Sequence, residues 1–425
     1  MEASKIDGHP LSVLRLIETE DASNLAIRQA AAVHFKNIVK KGWDVNKEDG
    51  NDGIVISARD RVLIKDNLVQ LMCEVPPNIQ SQCSESISLI AAVDFPAKWD
   101  NLLPMLVQKF GSNDARIVNG VLLTANSLFK SFRYVERSDK LYEHILYSLK
   151  LVQEPLLKLF QSTDQAVDCV ASDAFQLKQR FEALRLMSRI FYSLNYQDLP
   201  EFFEDTMKEW MAIFAKYLEY ENPLLTDPSE ELEPSPIDKL QAAIVENLNL
   251  YTDKDEEPFL PFLSAFTRLV WNLLVRLTSY SKHDVLATKC IRFLASLVKK
   301  QMHRDLFKDE STLRQIIGKI VIPNLMIREV DQERFEDDPA EFIDTDIEGS
   351  EADSRRKCSE ELLRSMCRQF EQEAAVICYE HIGIMLAEYQ ANPRNNWTAK
   401  DAAVSQYFDY FARCSTWLTL ARRYI

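Results

Sequence analysis

Residues 78–110 read NIQSQCSESISLIAAVDFPAKWDNLLPMLVQKF, and their spacing decides the fold. In the first half Ile79, Cys83, Ile87, Ile90 and Ala91 recur at steps of three and four, the apolar stripe of a helix. In the second half Leu102, Leu103, Leu106, Val107 and Phe110 form another. Between them Asp94-Phe95-Pro96 predicts a tight junction. Asp94 is placed to cap the second helix, and Pro96 suits its first turn, where a missing N–H costs nothing. Trp99 sets a large apolar body beside the turn. Two such helices cannot cover both stripes alone and need a like pair on each side. The expected fold is therefore all-α, a stack of helix pairs forming an α-solenoid.

The pattern extends both ways. A short helix is expected around Leu11, Leu14 and Leu16, then a longer one over IRQAAAVHFKNIVKKGW, residues 27–43. Its inward face reads as Ile27, Ala30, Ala31, His34 or Phe35, and Ile38, leaving Lys36, Asn37, Lys40 and Lys41 on the other side. Residues 44–56 read as a loop, and a helix follows from Ser57 to Cys73, stopped by Pro76-Pro77. Asn113-Asp114 opens a helix carrying Val118, Val121, Leu122, Ala125, Leu128, Phe129 and Phe132 inward. Further helices are expected near 138–161, 176–194, 285–299 and 311–327. Two more junctions lie at Asp198-Leu199-Pro200, with Phe202, Phe203, Met207, Trp210 and Met211 behind it, and at Pro258, with Phe259, Phe262, Leu263 and Phe266 behind it.

Two stretches interrupt the helices. Residues 222–236, rich in proline and acids, read as an exposed loop. Residues 331–353 carry eleven acids against Arg334 alone, yet Phe335, Phe342, Ile343 and Ile347 recur among them. The expectation is an insertion docked by its apolar residues with carboxylates turned outward; the alternative is a solvated loop. The chain thus divides into a helical array over 1–330, the acidic insertion 331–353, further helices over 354–403 and a tail, 404–425.

Composition narrows the function. Nine glycines in 425 residues fit a chain that is mostly helix, and 46% hydrophobic with 27% charged residues fits a long buried core. A formal charge of −15 argues against nucleic acid and favours basic partners. The N-terminus lacks the pattern of a signal peptide, and no apolar run is expected to reach the roughly 18–20 residues of a membrane span, so no membrane partner is expected. The eight cysteines fit free thiols in a reducing compartment, with Cys358, Cys367 and Cys378 spaced for successive helical turns. No phosphate-binding GxxxxGK[ST] loop is present, and the six histidines show no HExxH or other close pairing. No cofactor, metal or catalytic set is therefore expected.

In order along residues 9–404, IRQAAAVHFKNIVKKGW, DFPAKWDNLLP, IFYSLNYQDLPEFFED, FEDDPAEFIDTDIEG and NPRNNWTAKDAA resemble the importin-β superfamily of nuclear transport receptors. SLNYQDLPEFFED and the acidic block ending in DIEG are more specific and resemble the CAS-type exportins within it. The resemblance implies a superhelix of HEAT repeats, each an A helix and a B helix. It implies an export receptor that shuttles between nucleus and cytoplasm and returns importin-α to the cytoplasm together with Ran-GTP. Nuclear pore proteins are further partners of that family, and enzyme activity is not expected. Family members contact Ran from the B helices of their first repeats. That makes Lys36, Asn37, Lys40 and Lys41 candidate contacts on one helix and Gln82, Glu85 and Ser88 on the next. The acidic block adds Glu336, Asp337, Asp338, Glu341, Asp344 and Asp346.

Alternatives stay open. Asn37 could instead bond within the ladder between repeats, with the lysines merely solvated. The family has a helix pair before residue 9 and further repeats after the match, while VSQYFDYFARCSTWLTLARRYI after Ala403 is not matched. The alternatives for the whole chain are another transport receptor or general HEAT-repeat scaffold, a truncated product without transport activity, or an α/α-barrel enzyme.

Overall fold

Side-chain caps set many helix starts. Ser57 Oγ accepts from the Asp60 N–H at 3.2 Å, Asp114 Oδ1 from the Arg116 N–H at 2.8 Å and Ser138 Oγ from the Leu141 N–H at 3.3 Å. Ser235 and Asp238 exchange bonds in a capping box. The computed structural model describes residues 8–19, 24–44, 56–254, 256–346 and 354–411. All of its regular elements there are helices, in two compact units, Met1–Ile213 and Phe214–Ile425.

The first unit contains α1 (His9–Glu18), α2 (Leu25–Gly42), α3 (Ala58–Glu74), α4 (Pro77–Asp94), α5 (Leu102–Gln108), α6 (Ala115–Ser131), α7 (Asp139–Cys169), α8 (Ala174–Asn195) and α9 (Glu201–Asp205). The boundary between units falls inside α10 (Met207–Leu218). Consecutive helices pair, and the pairs stack in two rows. The A row runs α1, α3, α5, α7; in the B row α2 packs on α4, α4 on α6 and α6 on α8. The second unit contains α11 (Pro236–Asp253), α12 (Glu256–Arg276), α13 (Asp284–Lys299), α14 (Glu310–Ile316), α15 (Ile322–Leu325), α16 (Glu329–Asp337), α17 (Pro339–Asp346), α18 (Arg355–Gln369), α19 (Glu371–Ala391) and α20 (Trp397–Phe411). Here α11, α13 and α18 form the B row, and a π-helical turn, Ile317–Val321, joins α14 to α15. The acidic insertion, α16 and α17, lies between the A-type α14–α15 segment and its B helix, α18.

Apolar stripes fill the space between rows. Ile79, Cys83, Ile87, Ile90, Ala91, Leu102, Leu103, Leu106 and Phe110 are all buried, as the spacing predicts; Val107 is half-buried. Trp210 stacks on Phe160 at 4.6 Å between ring centroids and touches Phe191 at 4.4 Å and Phe203 at 5.9 Å. Polar side chains also cross between helices, each donating to a backbone carbonyl of a neighbour. Gln80 Nε2 reaches Met72 O and Arg116 O, both at 3.2 Å. Asn119 reaches Gln179 O at 3.1 Å, Gln197 reaches Phe132 O at 2.8 Å, and Asn249 reaches Lys289 O at 3.1 Å. Gly120 makes the first of these bridges sterically feasible, since a Cβ there would sit 2.2 Å from Gln80 Nε2.

Several local expectations are corrected. Asp94 does not cap α5: it is the last residue of α4, buried, and its Oδ2 accepts from Lys65 Nζ at 3.0 Å. Pro96 is the reason, because the residue before a proline is driven out of the α region, so Phe95 is extended and α4 ends at Asp94. On α2 the inward face is Arg28, Ala31, Ala32, Phe35, Ile38 and Val39, while Ile27, Ala30 and His34 are exposed. The buried Arg28 satisfies its Nε by donating to Ile17 O at 3.0 Å. On α1 the buried set is Pro10, Val13, Leu14 and Ile17, with Leu16 exposed. Helix α7 runs eight residues beyond the expected end at 161, to Cys169, with Pro155 inside it. The expectation that no stretch matches a membrane span also fails: Glu257–Arg276 has the length and a mean hydropathy of 1.3. Apolar residues off the stripe, such as Leu260 and Val275, raise that figure; Phe259, Leu263, Phe266, Leu269, Val270, Leu273 and Leu274 are buried, and α12 packs on α11 and α13. The loop expected at 44–56 falls largely outside the described residues, as do 347–353 and the tail beyond 411.

Trp99 is buried beside the α4–α5 junction, and Phe95 meets Tyr147 of α7 at 6.0 Å. Trp99→Ala is expected to cost about 3–5 kcal/mol. In a stack held by nearest neighbours the damage is local, so hydrogen exchange should rise over about residues 60–130 and not in the second unit. Equal loss of protection along the whole chain would contradict the repeat architecture.

Candidate partner-binding surfaces

Burial of Phe35, Ile38 and Val39 fixes the rotation of α2 and decides what its free face shows. Asn37, Lys40 and Lys41 are exposed and Lys36 is half-buried. Among the described residues Lys36, Asn37 and Lys40 have no side-chain hydrogen bond or ion pair, so Asn37 is not part of the bridging ladder. Lys40 and Lys41 lie in the last turn, where the helix dipole favours cations. On α4, which packs against α2, Glu85 is exposed and Gln82 and Ser88 are half-buried. Ser88 Oγ donates to Ser84 O at 3.0 Å, while Gln82 Oε1 is buried without a partner. The two predicted sets thus stand on adjacent B-row helices of one unit. The acidic set stands in the other unit.

The described part of the acidic block, residues 331–346, is largely helical. Glu336, Asp337, Asp338 and Glu341 are exposed, and Asp338 caps α17 by accepting from the Glu341 N–H at 3.0 Å. The side chains of Asp344 and Asp346 lie outside the described residues, as does Ile347. Contrary to the expectation from sequence, the block is not docked mainly by its apolar residues. Phe335 and Ile343 are 44% and 39% exposed, and Phe335 packs edge-to-face on Phe342 at 5.6 Å, within the block itself. Its tether is ionic: Arg328 at the start of α16 meets Asp331 at 2.8 Å and Asp284 of α13 at 2.7 Å. Asp284 Oδ1 also lies 2.7 Å from Nε of the buried Arg355. Burial works against the Arg328 charge, but Asp331 and Asp284 outweigh it and hold the guanidinium above its ordinary range. On Arg355 burial wins, helped by repulsion from Arg328, and the group is pushed down. No sequence pattern links positions 284, 328 and 355; only the stacking of α13 on α18 does. Asp284→Ala should speed hydrogen exchange over 329–346 on the order of tenfold while leaving the first unit unchanged. Unchanged exchange there would show that Asp284 does not hold the block.

The structure also brings together two histidines that look unrelated in sequence. His9 on α1 and His34 on α2 approach to 3.3 Å between their Nε2 atoms. Burial, then the neighbouring His9, lowers the pKa of His34. A depressed histidine favours the folded state when neutral, so its contribution is present above the unfolded pKa and lost as pH falls through the folded value. Between about pH 7.5 and 5.5 the wild-type chain should lose more stability than His34→Gln does, measured by denaturant unfolding. Equal losses would contradict the assigned shift. Cys358, Cys367 and Cys378 are buried in the core.

The two-row stack of helix pairs defines a HEAT-repeat α-solenoid of the importin-β class, and residues 1–74 match the importin-beta N-terminal domain. The chain belongs to the Cse1 family, whose profile matches residues 128–416. It is 41% identical over 396 residues to Exportin-2 of Homo sapiens, covering 93% of this chain and 40% of that protein. To Exportin-2 of Danio rerio it is 42% identical over 392 residues, again 40% of that protein. The solved structure of the exportin Cse1 in its cargo-free, cytoplasmic state superposes with a TM-score of 0.88 at 34% identity, over 96% of this chain and 44% of that one. Importin beta crystallised in ammonium sulfate shares the fold at a TM-score of 0.59 and 11% identity. The chain spans about 40% of the length of the curated relatives it matches.

Proposed function

We propose that this chain acts in nuclear export as a receptor for Ran-GTP and importin-α, passing between nucleus and cytoplasm and touching nuclear pore proteins on the way. It works by binding, not by catalysis. Membership of the Cse1 family together with about 41% identity to Exportin-2 supports this reading. The observation that carries the site is the exposed face of α2, where Lys36, Asn37 and Lys40 have no side-chain partner among the described residues. Unpaired cations on an acidic chain are available to a partner at no cost in broken pairs. Lys36, Asn37, Lys40 and Lys41 then serve as one contact set, extended on α4 by Gln82, Glu85 and Ser88. The outward carboxylates Glu336, Asp337, Asp338 and Glu341, with Asp344 and Asp346 further along α17, form a second set for a basic surface of Ran or importin-α. Single surface pairs contribute about 0–1 kcal/mol, so each set acts as a cluster and mainly on association rate.

Titrating Ran-GTP and Ran-GDP in parallel tests the proposal. The GTP form should bind in preference. Joint replacement of Lys36, Lys40 and Lys41 by Ala should weaken binding on the order of tenfold. Replacing Glu336, Asp337, Asp338 and Glu341 by Ser should slow association of Ran-GTP or importin-α at low salt, with the difference shrinking at high salt. No preference between nucleotide states, or unchanged binding in both variants, would overturn it.

A further inference from the structure

On its inward side the acidic insertion borders a basic cleft. The cleft lies between α13, α15, α18 and the insertion and has a volume of about 460 Å³, within the roughly 300–1,000 Å³ of ligand-binding clefts. Lys289, Arg292, Arg328, Arg334, Arg355 and Arg356 line it. Among the described residues Asp284 and Asp331 are the carboxylates that line it. Around the rim Glu246 pairs with Lys289 at 2.7 Å and Asp401 with Arg356 at 2.9 Å. Glu360 also meets Arg356 at 3.7 Å, and the carboxylate nearest the centre is Asp284. One oxygen of Asp284, Oδ1, stands 2.7 Å from both Arg328 and Arg355. Arg355 is 8% exposed, spends its terminal nitrogens on Thr278 O, Tyr280 O and Asn324, and turns its Nε to Asp284 Oδ1. Arg334 has no side-chain hydrogen bond or ion pair among the described residues. Apolar side chains, Val285, Pro323, Met326 and Phe342, complete the walls.

We propose that this cleft binds a short acidic segment of a partner protein, one carrying adjacent carboxylates and an apolar side chain. Guanidinium forks recognise carboxylates in a bidentate fashion, and a carboxylate entering here shares the load that Asp284 now carries between Arg328 and Arg355. The apolar wall gives a side chain beside those carboxylates somewhere to pack, which a bare phosphate would not use. A long polyanion is disfavoured by the exposed acids of α16 and α17 and by the net charge of −15. The insertion then has two faces of opposite sign, one outward and acidic, one bordering a basic cleft. This assignment goes beyond the Ran and importin-α reading and does not depend on it.

A fluorescein-labelled peptide, acetyl-Glu-Glu-Phe-Glu-Asp-amide, titrated into the full chain provides the test. The matched peptide with Gln and Asn in place of the acids is the control, and inorganic pyrophosphate is the competing probe. The expected result is saturable binding of the acidic peptide alone, weakened by salt. Arg292→Glu and Arg334→Glu, both at exposed positions, should each weaken it on the order of tenfold, and Arg334→Lys should retain most of the affinity. Circular dichroism of these variants establishes that they remain folded. Absence of saturable binding, equal binding of the two peptides, or full affinity in both charge-reversal variants would overturn the proposal. Pyrophosphate binding without peptide binding would make this a phosphate site and equally overturn the peptide assignment.

Discussion

A helix pair in this chain carries more apolar surface than its two helices can cover for each other, and that surplus dictates the rest. The surplus is buried only when the B helix of one pair lies on the B helix of the next, as α2, α4, α6 and α8 do and as α11, α13 and α18 do. Hydrophobic stripes supply the stabilisation, but they do not fix how far one helix is set along another. The polar bridges do. Gln80 joins the end of α3 to the start of α6, and it fits because position 120 has no Cβ. Bridges of this kind to backbone carbonyls recur in both units, from Gln197 in the first to Asn249 in the second. A bridging amide left without its carbonyl would be a buried polar group without a partner, so register is enforced by the cost of the wrong alternative.

The same architecture separates structural from binding charge. Charges that hold the fold are paired: Lys65 with Asp94, Lys289 with Glu246, Arg328 with Asp284 and Asp331. Charges that a partner could use stand on faces the stack leaves uncovered. Lys36 and Lys40 on α2 and the exposed Glu336, Asp337, Asp338 and Glu341 of the insertion stand on such faces. Opposite signs on separate elements within one acidic chain suit partners that present different charge at different places. The ionic tether of the insertion, in contrast to a hydrophobic one, also makes its position sensitive to salt.

Much of this was legible in the sequence, for physical reasons that can be named. The stripes of α4 and α6 were readable because every residue in them is apolar and spaced for a single face. The outward placement of Lys40 and Lys41 followed from the same spacing. The α2 stripe was misread because Ile27 and Ala30 are apolar yet exposed, while Arg28 is charged yet buried through its bond to Ile17 O. Asp94 was misread because a capping residue and a buried ion-pair partner look alike until Lys65 is seen beside it. The insertion was taken for an apolar dock because Phe335 and Phe342 recur, whereas they satisfy one another. Its true anchors, Arg328, Asp284 and Arg355, lie 27 to 71 positions apart and converge only once the B row is assembled. The His9–His34 approach was hidden because it forms only when α1 packs on α2.

The central functional claim is that two separate surfaces, the α2–α4 face and the α16–α17 face, meet one partner set. Hydrogen exchange of the chain with and without saturating Ran-GTP and importin-α measures this most directly. The account predicts slower exchange over 33–43, 78–93 and 329–346, with the A-row helices α3 and α7 unaffected. Protection confined to the A row, or none at saturation, would contradict it.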